Sequence, residues 1–192
     1  MRKEKGSDIS EESVLALQER IKELDCLYKI YKSLHKATNS DEAVRLVLDQ
    51  LAGGFRYPDL VTVRIVIDGR QCSSKDTWHE SRTIFSDLIV DGRTVGEIGV
   101  SLSDQVKFPG EPFLDEERNL LCAVAVGLSN SLEKISTSQI FRENLERFSF
   151  AVEASGEGIW DWNIETGEAF FSKRWKDMLG LSDDQVSDRV EE

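Results

Sequence analysis

The sequence predicts an α+β protein in which an antiparallel sheet is flanked by long N- and C-terminal helices. Three observations predict this class. Apolar residues recur every three or four positions near the start of the chain and again in its later part, which is the period of a helix. Between these regions they alternate with polar residues, as in a strand. Two Asp-Gly pairs, at 68–69 and 91–92, separate the alternating runs, and that pair is typical of a tight hairpin turn.

The charge and composition limit the partners that the chain can have. Twenty-four basic and 36 acidic residues give a net charge of −12, which opposes binding to nucleic-acid phosphates or to an anionic membrane surface. We expect neither a nucleic-acid partner nor direct membrane contact by this segment. The N-terminus lacks the apolar run of a secretory signal, so we expect a cytoplasmic location.

Cys26, Cys72 and Cys122 are far apart and form no Cys-x-x-Cys pair, which predicts reduced structural thiols.

The first helix is expected over residues 10–37, after a flexible tail at 1–9. Ser10 is a candidate N-cap, with acidic residues in the first turn. Six apolar positions alternate at spacings of three and four and predict a coiled-coil seam through which the chain forms a homodimer. These positions are Val14, Leu17, Ile21, Leu24, Tyr28 and Tyr31. A second stripe, at Leu27, Ile30 and Leu34, would face the chain's own domain; the alternative is that the seam itself packs there.

A shorter helix follows a break at 38–40, and its apolar face consists of Ala43, Val44, Val47, Leu48 and Leu51. Gly53-Gly54 is the expected C-cap. From Val61 to Ile67 the odd positions are apolar, whereas Thr62 and Arg64 point the other way, which predicts a half-buried strand. Residues 82–90 and 93–102 form the next predicted strand pair.

Residues 109–112 (Pro-Gly-Glu-Pro) interrupt regular structure, and an acidic first turn at 115–117 then favours the start of a long helix. Its heptad repeat is Leu114, Leu121, Leu128 and Ile135. The helix is predicted to continue, with or without a break near 136–138, through Phe141, Leu145, Phe148 and Val152. After it we expect a strand with Trp160 and Trp162, a turn at Thr166-Gly167, a second strand, and a short helix that ends at Gly180. Core packing is the expected use of the two tryptophans.

Two parts of the chain resemble known sensor families. The element order, the run Asp91-Gly92-Arg93-Thr94-Val95-Gly96-Glu97-Ile98-Gly99-Val100 and the helix start Phe113-Leu114-Asp115-Glu116-Glu117-Arg118 are similar to a GAF domain, over residues 38–135. The segment from Gly156-Glu157-Gly158-Ile159-Trp160-Asp161-Trp162 to Gly180 resembles the opening of a PAS domain, of which residues 155–192 would be an incomplete N-terminal part. Residues 136–154 would be the connecting helix.

This combination resembles the sensory region of bacterial or archaeal signalling proteins, chiefly histidine kinases and cyclic-di-GMP enzymes. The resemblance implies a dimer whose parallel helices relay a signal to an output domain outside this chain, with no catalysis here. A small-molecule ligand is a candidate partner, but no cofactor is assigned, because the region from Val61 to Gly110 is short for the insertions that build a pocket in larger GAF domains. His79-Glu80 superficially resembles a kinase phosphoacceptor box, yet it falls on a predicted loop. Two alternatives stay open: redox chemistry on methionine sulfoxide, which needs closely placed cysteines, and a dimerisation spacer without a ligand.

Overall fold

A computed structural model of the chain describes residues 11–104, 111–182 and 185. Its helices and antiparallel sheets confirm the α+β class. The chain divides into two compact units between Ser136 and Thr137, and each is described by itself. The expected tail at 1–9, the cap at Ser10 and the Pro109-Gly110 break lie outside the described residues.

The first unit contains three helices and a four-stranded sheet. Helix α1 spans Glu11–Leu34 and α2 spans Ser40–Gln50, followed by two 3-10 turns at Leu51–Gly54 and Pro58–Leu60. The strands are β1 Val61–Ile67, β2 Arg70–Ser73, β3 Thr83–Val90 and β4 Arg93–Leu102. Helix α3 begins at Asp115 and continues to Ser155. The strand order is β2-β1-β4-β3, and every pair is antiparallel.

Both Asp-Gly pairs form the hairpin turns that the sequence predicts. The φ angle is 49° at Asp68 and at Asp91, 78° at Gly69 and 72° at Gly92. Two consecutive residues at positive φ define the turn that matches the twist of a two-residue hairpin, and Asp-Gly adopts it readily. These turns fix the registers of β1 with β2 and of β3 with β4.

The core lies between one face of the sheet and the three helices. On β1, the odd positions Val61, Val63 and Ile65 are buried, as predicted, and the predicted apolar face of α2 is buried against them. Helix α3 contributes Leu121, Leu128 and their neighbours. The carboxylate of Glu117, which is itself buried, accepts hydrogen bonds from the backbone N–H of Leu114 (2.9 Å) and of Arg56 (2.6 Å), so it caps α3 and ties the helix to the preceding turns.

The outer face of β1 is more covered than the predicted half-buried strand implies. Thr62, on the face opposite the helices, is only 3% exposed, and Arg64 is half-buried. The cause is residues 74–82, which connect β2 to β3 and lie over this outer face. Trp78 in that segment covers Arg64. The periodic pattern of one strand does not reveal a loop that packs on it from elsewhere in the chain.

The predicted glycine C-cap of α2 is wrong. Neither Gly53 nor Gly54 has a positive φ; the helix tightens into a 3-10 turn. Gly54 has a different role, because a Cβ atom there would lie 2.5 Å from Leu120 Cδ2 and 2.9 Å from Cys26 Sγ. The absence of a side chain at this position lets the turn approach α1 and α3 closely.

The second unit contains the rest of α3, a two-stranded sheet and a short helix. Helix α3 is unbroken at 136–138, and strands β5 Trp160–Trp162 and β6 Ala169–Phe171 pair antiparallel. Helix α4, Lys173–Leu179, is capped by the Ser172 side chain and ends at Gly180, whose φ is 70°. These elements match the predicted ones.

The expected core packing of the two tryptophans is not found. Trp160 is 59% exposed and Trp162 is 44% exposed. Two strands of three residues offer too little surface to enclose two indole rings. The Phe171 ring packs instead on the Trp175 ring, and the two ring centroids are 4.5 Å apart.

Candidate functional site

Helix α1 has two apolar faces, and only one of them packs on the domain. Cys26, Ile30 and Leu34 are buried against the core, with Leu27 partly covered. The six residues of the predicted seam lie on the other face and are 42% to 65% exposed. An apolar stripe of this length on one helix is typical of a surface that binds another protein segment.

Several contacts hold α1 in place so that the seam points outward. The Lys22 ammonium donates a hydrogen bond to the backbone carbonyl of Phe55. The Cys26 thiol contacts the backbone carbonyl of Gln50 at 3.4 Å, and burial raises its pKa to about 11. This thiol is therefore protonated at neutral pH and acts as a small apolar group. Cys72 and Cys122 are exposed, and all three cysteines are free thiols.

Tyr31, the last residue of the seam, also contacts α3. Its hydroxyl donates a hydrogen bond to the Ala123 carbonyl at 3.0 Å, and its ring lies so close to Gly127 that a Cβ atom there would be 2.9 Å from the ring. Farther along, the Ser131 hydroxyl donates to the Leu34 carbonyl at 3.2 Å. Because the contacts advance in the same direction on both helices, α1 and α3 run parallel. The heptad spacing predicts Tyr31 in the seam, whereas Ala123 and Gly127 carry no periodic signal that predicts their contact with it.

Later in α3, a second exposed apolar stripe follows the same spacing rule. Phe141, Leu145 and Phe148 are each more than half exposed, and Val152 continues the stripe as a half-buried residue. The spacings are four, three and four residues, which is the pattern of a coiled-coil seam. The helix through these residues is predicted from the sequence, but their membership of a seam is not.

The outer face of the sheet carries a cluster that the sequence analysis did not identify as a site. The Trp78 ring stacks on the Arg64 guanidinium, with 3.7 Å between the guanidinium carbon and the ring centroid, and lies 6.0 Å from the Phe85 ring. His79 lies in the same connecting segment and its ring nitrogen Nδ1 is 3.2 Å from an Asp104 carboxylate oxygen. His79 is therefore on a loop, as predicted, and not on a helix.

A surface cleft of about 390 Å³ lies between α2 and the β1–β2 hairpin. Its floor is apolar and its rim carries both positive and negative side chains. The lining residues are Ser40, Asp41, Val44, Arg45, Ile65, Ile67, Asp68, Arg70 and Cys72. Among the described residues there is no group of three acidic, histidine or cysteine side chains that could hold a metal ion.

The chain is similar to one signalling protein over a limited stretch. Forty-eight residues are 38% identical to hybrid signal transduction histidine kinase A of Dictyostelium discoideum. The match covers 25% of this chain and 2% of that protein, so the chain spans a small fraction of the curated relative that it matches. No family model matches the chain. In the part of the chain that the structure describes, no helix is both long enough and apolar enough to cross a membrane.

Proposed function

We propose that the chain is a sensory and regulatory module of a signal-transduction protein, a GAF-like domain followed by the first part of a PAS domain. It acts as a parallel homodimer, joined along the α1 seam, and relays a signal to an output domain outside the chain. The exposed seam on α1 carries the proposal. The similarity to a histidine kinase over 48 residues favours a kinase as the parent protein. A diguanylate cyclase or phosphodiesterase is the alternative output.

The residue types in the seam favour two parallel strands. In heptad notation, Val14, Ile21 and Tyr28 occupy position a, and Leu17, Leu24 and Tyr31 occupy position d. A β-branched residue at a combined with leucine at d packs best in a parallel dimeric coiled coil. The first four seam positions follow this rule without exception.

The charges beside the seam also fit a parallel arrangement in register. Arg20 occupies position g and Asp25 occupies the following position e. In a parallel dimer, a g side chain of one helix meets the e side chain five residues later on its partner, so Arg20 of one copy faces Asp25 of the other. Within one chain, Arg20 lies 3.6 Å from Glu23, and Asp25 pairs with Lys29. The Arg20 and Asp25 side chains are nevertheless exposed, so a partner helix can reach both.

The relay follows from the contact between parallel helices. A change in how the two copies of α1 pack would move Tyr31 and, through it, the Ala123 and Gly127 surface of α3. Packed helices switch between discrete arrangements, because interdigitated side chains do not deform continuously. Helix α3 continues from this contact to the second exposed stripe at Phe141, Leu145 and Phe148, where its two copies would pair in turn.

A charge-exchange experiment tests this proposal. Arg20→Glu and Asp25→Arg each place like charges across the proposed seam, whereas the double variant restores an attractive pair in the opposite sense. We expect each single variant to weaken the dimer about 3- to 10-fold and the double variant to recover most of this loss. Sedimentation equilibrium measures the dissociation constants. Leu24→Asp should give a monomer, and Ile89→Asp, at an exposed apolar site on β3, is the matched control.

Two results would reject the proposal. One is a wild-type chain that stays monomeric at about 100 μM, which would mean an association free energy weaker than about 5.5 kcal/mol. The other is a dimer whose affinity responds to Leu24→Asp no more than to Ile89→Asp. If the double variant loses as much dimer affinity as the two single variants combined, the α1 seam remains supported as the dimer surface, but the parallel register is excluded.

A dimerisation spacer without a small-molecule ligand is the second candidate. It is favoured by the outer face of the sheet, where Trp78 fills the space above Arg64 and Gly99. It predicts that no organic ligand raises the Tm of the chain, whereas a sensor predicts at least one that does.

A further inference from the structure

The strongest unassigned feature lies beneath Trp78 on the outer face of the sheet. Arg64, Gly99 and Phe85 are paired across β1, β4 and β3, so their positions form one row on this face. Gly99 leaves room for the rings, because a Cβ atom there would be 2.7 Å from Phe85 and 3.1 Å from Trp78. The Trp78 indole lies over the Arg64 guanidinium, and the Nε atom of Arg64 is buried there.

Two buried N–H donors in this row have no acceptor. They are Nε of Arg64 and Nε1 of Trp78, and among the described buried side chains they are the ones without a hydrogen-bond partner. A buried donor without an acceptor loses the hydrogen bond that it makes with water in the unfolded chain, and the penalty is larger when the donor is charged. Native proteins fill almost all such positions, with an ordered water or an ion where no protein acceptor is present.

No described carboxylate neutralises Arg64. The Asp104 carboxylate accepts a hydrogen bond from Ser81 at 3.0 Å and lies 3.5 Å from Nε of Arg82 as well as beside His79. Glu97 and Asp87 lie two residues farther along the same face, and no ion pair joins either of them to Arg64. The guanidinium therefore lies under an aromatic ring with a full positive charge and a neighbouring donor, but without an anion.

We propose that Arg64 and Trp78 form a binding site for a small anion, of the size of chloride or of a single carboxylate group. Both side chains offer donors, and Arg64 adds its charge. A chloride ion or a carboxylate oxygen accepts both N–H bonds and needs no acceptor of its own, whereas a water molecule would bring two further protons that need acceptors. An anion bound here adds to the contacts that hold residues 74–82 against the sheet, among them the hydrogen bond that the backbone N–H of His79 donates to the Ser101 hydroxyl at 2.8 Å.

The test uses the full chain in buffers of constant ionic strength, in which chloride progressively replaces the larger methanesulfonate ion. Acetate is the second probe and represents a carboxylate. We expect a saturable rise in Tm, of about 3–6 °C at ten times the Kd, and line broadening in chloride NMR spectra. Constant ionic strength is required because the net charge of −12 makes general screening by salt stabilising.

Three variants make the test specific. Arg64→Met removes the charge and the donors but keeps an apolar stem, and it should abolish the response to chloride. Trp78→Phe keeps a ring over Arg64 and removes only the indole N–H, and it should raise the Kd several-fold. Arg70→Met, at an exposed arginine on β2, should respond as the wild type does.

The proposal is overturned by a wild-type chain that shows no difference between chloride, acetate and methanesulfonate, because a water would then fill the site. An Arg64→Met variant that broadens the chloride signal as the wild type does would also overturn it. If Arg64→Met does not fold, an unchanged chloride Kd in Trp78→Phe overturns the proposal instead. Dimerisation plays no part in these measurements, so they stand apart from the proposed function.

Discussion

The phenolic hydroxyl of Tyr31 donates a hydrogen bond to the backbone carbonyl of Ala123, 3.0 Å away, where α1 and α3 run side by side. One side of the Tyr31 ring lies against Gly127, while the residue remains 42% exposed on the seam. The same side chain therefore belongs to the apolar stripe of α1 and to the contact between the two parallel helices. This makes Tyr31 the residue through which the proposed dimer surface acts on α3.

Tyr31→Phe should keep the seam and loosen the contact with α3. The ring remains, but the Ala123 carbonyl loses its donor, and we expect the free energy of unfolding to fall by about 0.5–1 kcal/mol because the bond is partly exposed to solvent. Chemical denaturation measures this loss. Tyr28→Phe is the control, since no hydrogen bond of the Tyr28 hydroxyl to a described residue is present and the side chain is more exposed. Equal effects of the two variants would contradict a specific role for the Tyr31 hydroxyl.

Gly54→Ala should be far more damaging than Gly53→Ala. A methyl group at Gly54 meets Leu120 and Cys26 at 2.5–3.1 Å, and both neighbours are buried, so the core must shift at a cost of about 1–3 kcal/mol. A methyl group at Gly53 meets nothing within 4 Å and should be neutral or slightly stabilising. Thermal unfolding of the two variants compares them directly. A harmless Gly54→Ala would show that the 3-10 turn can move away from α1 and α3.

Glu23 and Glu42 should contribute to stability with opposite dependences on pH. Burial, partly offset by Arg20, raises the pKa of Glu23, with further raising contributions from Glu116 and Glu117. A carboxyl group with a raised pKa in the folded chain binds its proton more tightly there than in the unfolded chain. Its contribution to stability therefore increases as the pH falls from above the raised folded-state pKa toward the usual value near 4.5. Glu23→Gln should therefore be more stable than the wild type at pH 7, and this advantage should shrink toward pH 4.5.

Glu42 supplies the contrast. Its carboxylate accepts hydrogen bonds from the backbone N–H and the hydroxyl of Thr38, which lower its pKa. The stability that this group contributes is present above the usual pKa of a glutamate and is lost as the pH falls through its lowered value. The difference in unfolding free energy between the wild type and Glu42→Gln should thus decline on acidification. Urea unfolding between pH 3 and pH 8 compares both variants, and parallel curves for the two would refute the assignment.

The local elements of the fold were predictable because each is specified by residues that are close together in sequence. Asp68-Gly69 and Asp91-Gly92 adopt positive φ with little strain, so they define two hairpins. The apolar periods of α1 and α2 define which face of each helix packs on the sheet. Gly180 was predicted as the end of α4 for the same reason, and its φ is positive.

The errors at β1 and at Gly54 have a common physical cause, which is contact between residues far apart in sequence. Arg64 and Thr62 were expected to face water, but a segment 10 or more residues later covers them. Gly54 was expected to end a helix by its backbone conformation, but its role is to admit Leu120 from α3. Neither outcome leaves a trace in the local pattern of hydrophobic and polar residues.

The order of residues along the chain is enough to specify the α+β class, the tight turns, the extents of most helices and strands, and the two apolar stripes on α1, because backbone propensity and hydrophobic period are local properties. Packing in three dimensions is needed to establish that Tyr31 binds α3, that Trp78 covers Arg64 and leaves two donors without an acceptor, and that α1 and α3 run parallel. These features depend on which surfaces meet when the helices pack on the sheet. That choice is made by shape and by the pairing of buried polar groups across the whole unit.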